Sequence, residues 1–161
     1  MIERRKSKRI SVGGVPVGGD APISVQSMTT TKTSDVVATL EEIARLEEAG
    51  CEMVRVAVPK QEDGRALGKI RAGINIPLIA DVHFDYRMAL IALDEGVDCL
   101  RLNPGNIGSR DRVEEVARKA AAAPVTSSAC SPRWAMATSS PPSTTGSAFP
   151  ERLSVKTSWA S

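Results

Sequence analysis

Apolar residues recur along this chain in two alternating rhythms. Short runs rich in β-type residues are Pro22-Ile-Ser-Val-Gln-Ser-Met28, Met53-Val-Arg-Val-Ala-Val58, Pro77-Leu-Ile-Ala-Asp-Val82 and Cys99-Leu-Arg-Leu102, and each reads as a strand. Between them the apolar spacing turns helical. Val37, Leu40, Ile43, Ala44 and Leu46 form one stripe, with Glu41, Glu42, Arg45, Glu47 and Glu48 on the wet side. Further helices are predicted over 62–71, over 86–95 and through Val113, Val116 and Ala117. Ser34 or Asp35, Asp85 and Ser109 are the candidate caps. Before the first core strand, Ile10 to Val17 alternates around Gly13-Gly14 and predicts a short hairpin that plugs one end of the domain. After the last strand, Asn103-Pro-Gly-Asn106 supplies turn chemistry.

The rhythm is an internal repeat. Gly50, Gly73 and Gly96 close successive helices at a spacing of 23 residues, and a buried-type strand follows each. Repeated strand–helix units imply a parallel sheet with right-handed crossovers. The units suit part of a TIM-type (β/α)8 barrel, about four βα units of an α/β fold, or an open doubly wound sheet. The first strand is not followed by a GxGxxG turn, which weakens a dinucleotide-binding reading.

At about residue 119 the pattern stops. Residues 120–161 hold 10 Ser, 5 Thr, 5 Pro and 9 Ala but only four charged side chains, so they offer little to bury. The expected organisation is therefore a half-barrel over 1–119 and an aberrant low-complexity tail, disordered, over 120–161. A shifted reading frame would produce so abrupt a change.

Composition narrows the function. The net charge of +2 calls for neither nucleic acid nor an acidic membrane surface, and 3% aromatic residues argue against base stacking. No apolar run approaches the roughly 20 residues of a membrane span. Arg4, Arg5, Lys6, Lys8 and Arg9 make a basic arm without the apolar stretch of a secretory signal. Cys51, Cys99 and Cys130 are far apart, which suits a reducing cytoplasm and writes neither a disulfide framework nor a complete metal site.

The candidate chemistry sits at strand ends, where barrels of parallel strands bind ligands. Arg55 and Arg101 lie inside predicted strands, and a guanidinium there is costly unless it faces a cleft or pairs with an anion. Two readings stand for them: a shared mouth that holds a diphosphate, and internal ion pairs with Asp81. His83, the single histidine, follows a strand end two residues after Asp81, so both side chains face one side of an extended segment. It is either a structural histidine or one oriented by Asp81 to donate to a ligand. Asn103 is either a rim amide or a plain turn residue. Gln26 and Thr29–Thr31 are expected at the mouth, and Cys99 as a small buried apolar residue.

Several strings coincide in order and spacing: Arg4-Arg-Lys-Ser-Lys-Arg-Ile10, Pro22-Ile-Ser-Val-Gln-Ser-Met-Thr29, Val54-Arg-Val-Ala-Val-Pro59, Ile79-Ala-Asp-Val-His-Phe-Asp-Tyr-Arg87 and Gly96-Val-Asp-Cys-Leu-Arg-Leu-Asn-Pro-Gly-Asn-Ile-Gly108. From about residue 4 to 119 the chain resembles the N-terminal part of the bacterial 4-hydroxy-3-methylbut-2-enyl diphosphate synthases. The resemblance implies a barrel domain followed by a C-terminal domain that holds a [4Fe–4S] cluster. It implies reductive opening and dehydroxylation of 2-C-methyl-D-erythritol 2,4-cyclodiphosphate in the non-mevalonate isoprenoid pathway, with electrons from flavodoxin or ferredoxin. It also implies a cytoplasmic homodimer in which one subunit's cluster domain closes over its partner's barrel. Carried over to this chain, it gives Arg55, Arg101, His83, Asn103 and Asp81 as substrate-binding residues and names no catalytic residue.

The chain departs from that family in length. The cluster domain and its cysteines are missing, so no cofactor is expected to bind this chain and no turnover is expected from it alone. The alternative is a catalytically inert half-barrel with at most weak diphosphate affinity. A third reading, a pterin-binding type of barrel synthase, is disfavoured by the Asp81–Arg87 and Asn103–Gly108 strings.

Overall fold

The computed structural model describes residues 7–122. Met1–Lys6, most of the basic arm, and residues 123–161, with Cys130 and nearly all of the expected tail, lie outside the described residues. The chain opens with a two-stranded antiparallel hairpin, β1 (Ile10–Val12) and β2 (Val15–Val17). Four parallel strands follow in sequence order: β3 (Gln26–Met28), β4 (Met53–Ala57), β5 (Leu78–Val82) and β6 (Cys99–Leu102). The helices are α1 (Val36–Glu48), α2 (Gln61–Ala72), α3 (Tyr86–Asp94), the single turn α4 (Pro104–Ile107) and α5 (Arg110–Ala122).

The alternation of each strand sorts its side chains into two layers. Val54, Val56, Leu78, Ala80, Val82 and Leu102 face the helices and form the main core with Ile43, Leu67, Ile70, Ala89, Ala92 and Val116. The opposite face carries Met53, Ile79 and Cys99 at the start of the strands, with Arg55, Asp81 and Arg101 beyond them. The hairpin covers the lower set: Val12, Met53 and Ile79 are buried together, with Val15, Val17 and Cys99 packed against them. The hairpin therefore plugs the N-terminal end of the sheet, as the sequence predicts. Its turn depends on glycine, because Gly13 and Gly14 have φ of +52° and +96°.

The predicted caps are largely in place. Asp35 accepts from the Ala38 N–H at 3.1 Å and Asp85 from the Arg87 N–H at 2.9 Å. Gly50 and Gly96 end their helices in the left-handed region, with φ of +87° and +76°. Gly73 ends its helix differently, at φ −99°. A Cβ there would lie 2.8 Å from a Leu40 methyl, so a larger residue would make the Leu40 side chain shift.

Three expectations need correction. The first core strand is only Gln26–Met28, not 22–28, because β4 begins at Met53 and offers no register partner before Gln26. Ile23 and Val25 are left exposed. The expected turn over 103–106 is the helical turn α4, whose first carbonyl, that of Asn103, accepts from the N–H groups of Asn106 and Ile107. Proline suits the first position of such a turn. Helix α5 also runs on to Ala122, past the change in composition.

Candidate functional site

Asp81 is the hub of the upper layer. It is on β5, only 1% of its side chain is exposed, and the neighbouring strands each bring an arginine to it. Arg101 on β6 is its register partner, and the Arg101 Nη1 donates to Oδ1 at 2.8 Å and to Oδ2 at 3.1 Å. From β4, Arg55 Nε lies 3.2 Å from Oδ2. That N–H is not aimed at the oxygen and is buried without a hydrogen-bond partner, so the contact is Coulombic. Arg55 Nη2 meets the Met28 sulfur at 3.5 Å.

Both arginines thus face the same side and the same end of the sheet. The internal ion pairs of the sequence reading are present, yet they do not exhaust the charge. Two guanidiniums share one carboxylate, and the arginine side chains remain 29% and 38% exposed. One positive charge is left uncompensated at a half-open surface, which attracts an anion.

His83 lies at the rim, just past the end of β5. Its Nε2 is 3.7 Å from Asp81 Oδ1, beyond a hydrogen bond, and 3.4 Å from Arg101 Nη1. Asp81 therefore orients the arginines rather than the imidazole. Asn103 follows β6, and its backbone N–H donates to the Val82 carbonyl at 3.2 Å. Its side chain does not cap α4 and stays available at the rim.

Gln26 is not at the mouth. It pairs with Met53 at the start of β4, the end of the sheet opposite the arginine pair. Thr29 is not there either: register and alternation put it on the helix side with Val54 and Val56, where it is buried with its hydroxyl unpartnered. The loop that begins at Thr30 is held by a residue that sequence reading assigned only to a wet helix face. Glu42 on α1 accepts from the Thr30 and Thr31 N–H groups at 3.0 Å each and from the Thr30 hydroxyl at 2.8 Å. Asp63, which the sequence reading did not single out, ties loops together in the same way. Buried at the start of α2, it accepts from the Ser34 N–H at 2.9 Å and the Lys60 N–H at 3.2 Å, joining the β3–α1 loop to the β4–α2 loop. A threonine-rich loop followed by an acidic helix position was the only available signal for Glu42.

Burial acts to raise the Glu42 carboxyl, but the hydrogen bonds from Thr30 and Thr31 outweigh it and hold the pKa at about 2. Because the folded value is depressed, Glu42 contributes its full stability above the ordinary value of 4.5, and that contribution is lost as pH falls from there toward about 2. Glu42→Gln is expected to cost about 1 kcal/mol at pH 7, a figure reduced for solvent screening. Urea denaturation between pH 6 and pH 2 checks it. The wild type should lose more stability over that window than the variant, and parallel pH profiles would refute the role given to this carboxylate.

Neither described cysteine has the character of a metal ligand. Cys51 is buried and its thiol donates to the Met53 carbonyl at 2.9 Å. For Cys99, desolvation under the hairpin and the nearby Asp98 carboxylate push the thiol up to about 11, against a lesser pull from the Leu100 backbone. Among the described residues, no three His, Cys, Asp or Glu side chains converge to hold a metal ion. The described half-barrel therefore does not fit a [4Fe–4S] cluster, whose iron is held by thiolates.

The fold and site define a class: a parallel α/β half-barrel with a net cationic cluster at the C-terminal ends of its strands. Residues 7–126 match the GcpE TIM-barrel domain. The chain belongs to that family. The 4-hydroxy-3-methylbut-2-en-1-yl diphosphate synthase (flavodoxin) of Pseudomonas paraeruginosa is 62% identical over 115 residues, which are 71% of this chain and 31% of that protein. The protein of the same name from Sulfurimonas denitrificans is 64% identical over 118 residues, 73% of this chain and 33% of its own. The chain thus spans about a third of the length of these relatives. Among solved structures, a dihydropteroate synthase from Xanthomonas albilineans superposes with a TM-score of 0.50 at 20% identity, over 69% of this chain and 46% of that one, a likeness of fold alone. Among the described residues, no helix is long and apolar enough to cross a membrane.

Proposed function

We propose that this half-barrel is the diphosphate-binding part of a 4-hydroxy-3-methylbut-2-enyl diphosphate synthase. In the complete protein, the ring of 2-C-methyl-D-erythritol 2,4-cyclodiphosphate is opened and its C3 hydroxyl leaves as water, with two electrons supplied by flavodoxin or ferredoxin. The redox chemistry belongs to a [4Fe–4S] cluster held by residues beyond the matched barrel segment, in a cytoplasmic homodimer. What this chain's own residues do is bind and orient. Arg55 and Arg101 take the diphosphate oxygens, His83 and Asn103 contact the substrate at the rim, and Asp81 holds the arginines. The observation that carries the reading is the convergence of two half-exposed guanidiniums from β4 and β6 on the one carboxylate between them.

Titration of the 161-residue chain with the cyclic diphosphate tests it. Arg55→Ala and Arg101→Ala should each weaken binding by about 10-fold or more, since a charge-assisted hydrogen bond is worth roughly 1.5–3 kcal/mol. Equal affinity in all three proteins removes the arginines from the site. A second reading is an inert half-barrel with weak diphosphate affinity, favoured by the Asp81 carboxylate that already contacts both arginines. Affinity for the cyclic diphosphate no tighter than for inorganic pyrophosphate would support that second reading. A clear preference for the cyclic diphosphate would support the first.

A further inference from the structure

We propose that Asp81 is a positioning residue that never touches the anion, and that its grip on two guanidiniums makes the mouth prefer a diphosphate to a single phosphate. The inference rests on the diphosphate reading above and assigns the selectivity within that site. Asp81 is 1% exposed, and each of its oxygens already has an arginine nitrogen within 3.2 Å, so it has no open surface to offer a ligand. An anion would also be repelled by it.

Its contacts use one edge of each arginine. Arg101 is held through Nη1 and Arg55 is approached through Nε. Among the described residues, the remaining N–H groups, Nε and Nη2 of Arg101 and Nη1 and Nη2 of Arg55, meet no protein oxygen; Arg55 Nη2 meets only the Met28 sulfur. Two forks with free donor edges are therefore presented at a fixed separation. Their strands flank β5, which puts the backbones roughly 9.5 Å apart, and the side chains lean inward from there to the shared carboxylate. A single phosphate that bridged both forks would have to divide its oxygens between them. Two linked phosphates can satisfy both, provided the forks stay put.

The test uses the 161-residue chain with inorganic pyrophosphate and orthophosphate at matched ionic strength, as wild type, Asp81→Asn and Asp81→Glu. The wild type should prefer pyrophosphate by about 10-fold or more, the worth of a second charge-assisted fork. Both variants should lose most of that preference. Asparagine adds net positive charge but releases the guanidiniums; glutamate keeps the charge but displaces them. Partial unfolding would weaken both ligands together and leave their ratio intact, so the ratio reports positioning. A preference that survives in both variants overturns the role of Asp81 and leaves the diphosphate reading standing. A wild type that binds neither probe overturns both. Should neither variant fold by circular dichroism, nuclear magnetic resonance of the wild type decides. Resolved, exchange-protected signals of the Arg55 Nε–H and the Arg101 Nη1–H in the free protein support the proposal. Signals that emerge only with pyrophosphate refute it.

Discussion

Replacing Asp81 with alanine lowers the stability of the barrel by about 2–3 kcal/mol, less than the roughly 3–5 kcal/mol of a fully buried pair because both arginines can turn partly to water. The loss has a specific cause. Asp81 is the one carboxylate between two guanidiniums, and without it two like charges face each other across β5 with no partner. Removing Arg101 as well should cost less than the sum of the two single changes, because the second substitution removes one of the orphaned charges. Pyrophosphate should restore part of the lost stability by mass action, and orthophosphate should do so nearly as well once the forks are no longer held apart. Urea denaturation of the two single variants and the double variant checks this. A single-variant loss below about 0.5 kcal/mol, the range of ordinary surface changes, would mean that the cluster is solvated rather than built.

The second large effect is at the other end of the sheet. Gly13→Ala should lift the hairpin from the strands it covers. A Cβ at Gly13 would lie 2.5 Å from the Pro77 side chain, and the residue sits at φ +52°, which alanine adopts only under strain. The hairpin screens Cys99, Met53 and Ile79, so its displacement should return the Cys99 thiol from about 11 toward its ordinary value of 9.0. At pH 8 a full return raises the thiolate fraction on the order of 10²-fold and, because a thiolate of lower pKa is the weaker nucleophile, the alkylation rate about 10-fold. The measurement is Cys99 labelling by iodoacetamide in a background carrying Cys51→Ser and Cys130→Ser. An unchanged labelling rate would mean that the hairpin does not close that end.

The strand–helix repeat was readable because local signals agreed there. Val54-Arg-Val-Ala-Val58 and Leu78–Val82 are too apolar for anything but a covered strand, and Asp35, Asp85, Gly50 and Gly96 mark helix ends by mechanisms that act within a few residues. The failures are non-local. Nothing within Pro22–Met28 says that β4 begins at Met53, and that register alone shortens β3 and sends Gln26 to the far end. Asn103-Pro-Gly-Asn106 carries turn residues that equally start a helix with proline first, and the chain takes the second option. At the site, the residue types and their shared side were legible from strand alternation. The division of labour was not. That Asp81 grips arginines while His83 stands off depends on distances of a few tenths of an ångström. The hold of Glu42 on Thr30 and Thr31 depends on where α1 lands beside the loop.

The plug at the N-terminal end also sets an order of events during synthesis. Residues 10–17 leave the ribosome before any of the strands they cover, and they can pair with each other at once as a local hairpin. Their docking surface is drawn from three strands, and its last piece, Cys99, is made some ninety residues later. The hairpin must wait, with Val12, Val15 and Val17 uncovered, until three strands have paired beside one another. Contacts of such long sequence separation form slowly. The hairpin, made before the sheet, is thus buried only after it, and the growing chain is most prone to aggregate before β6 has joined the sheet.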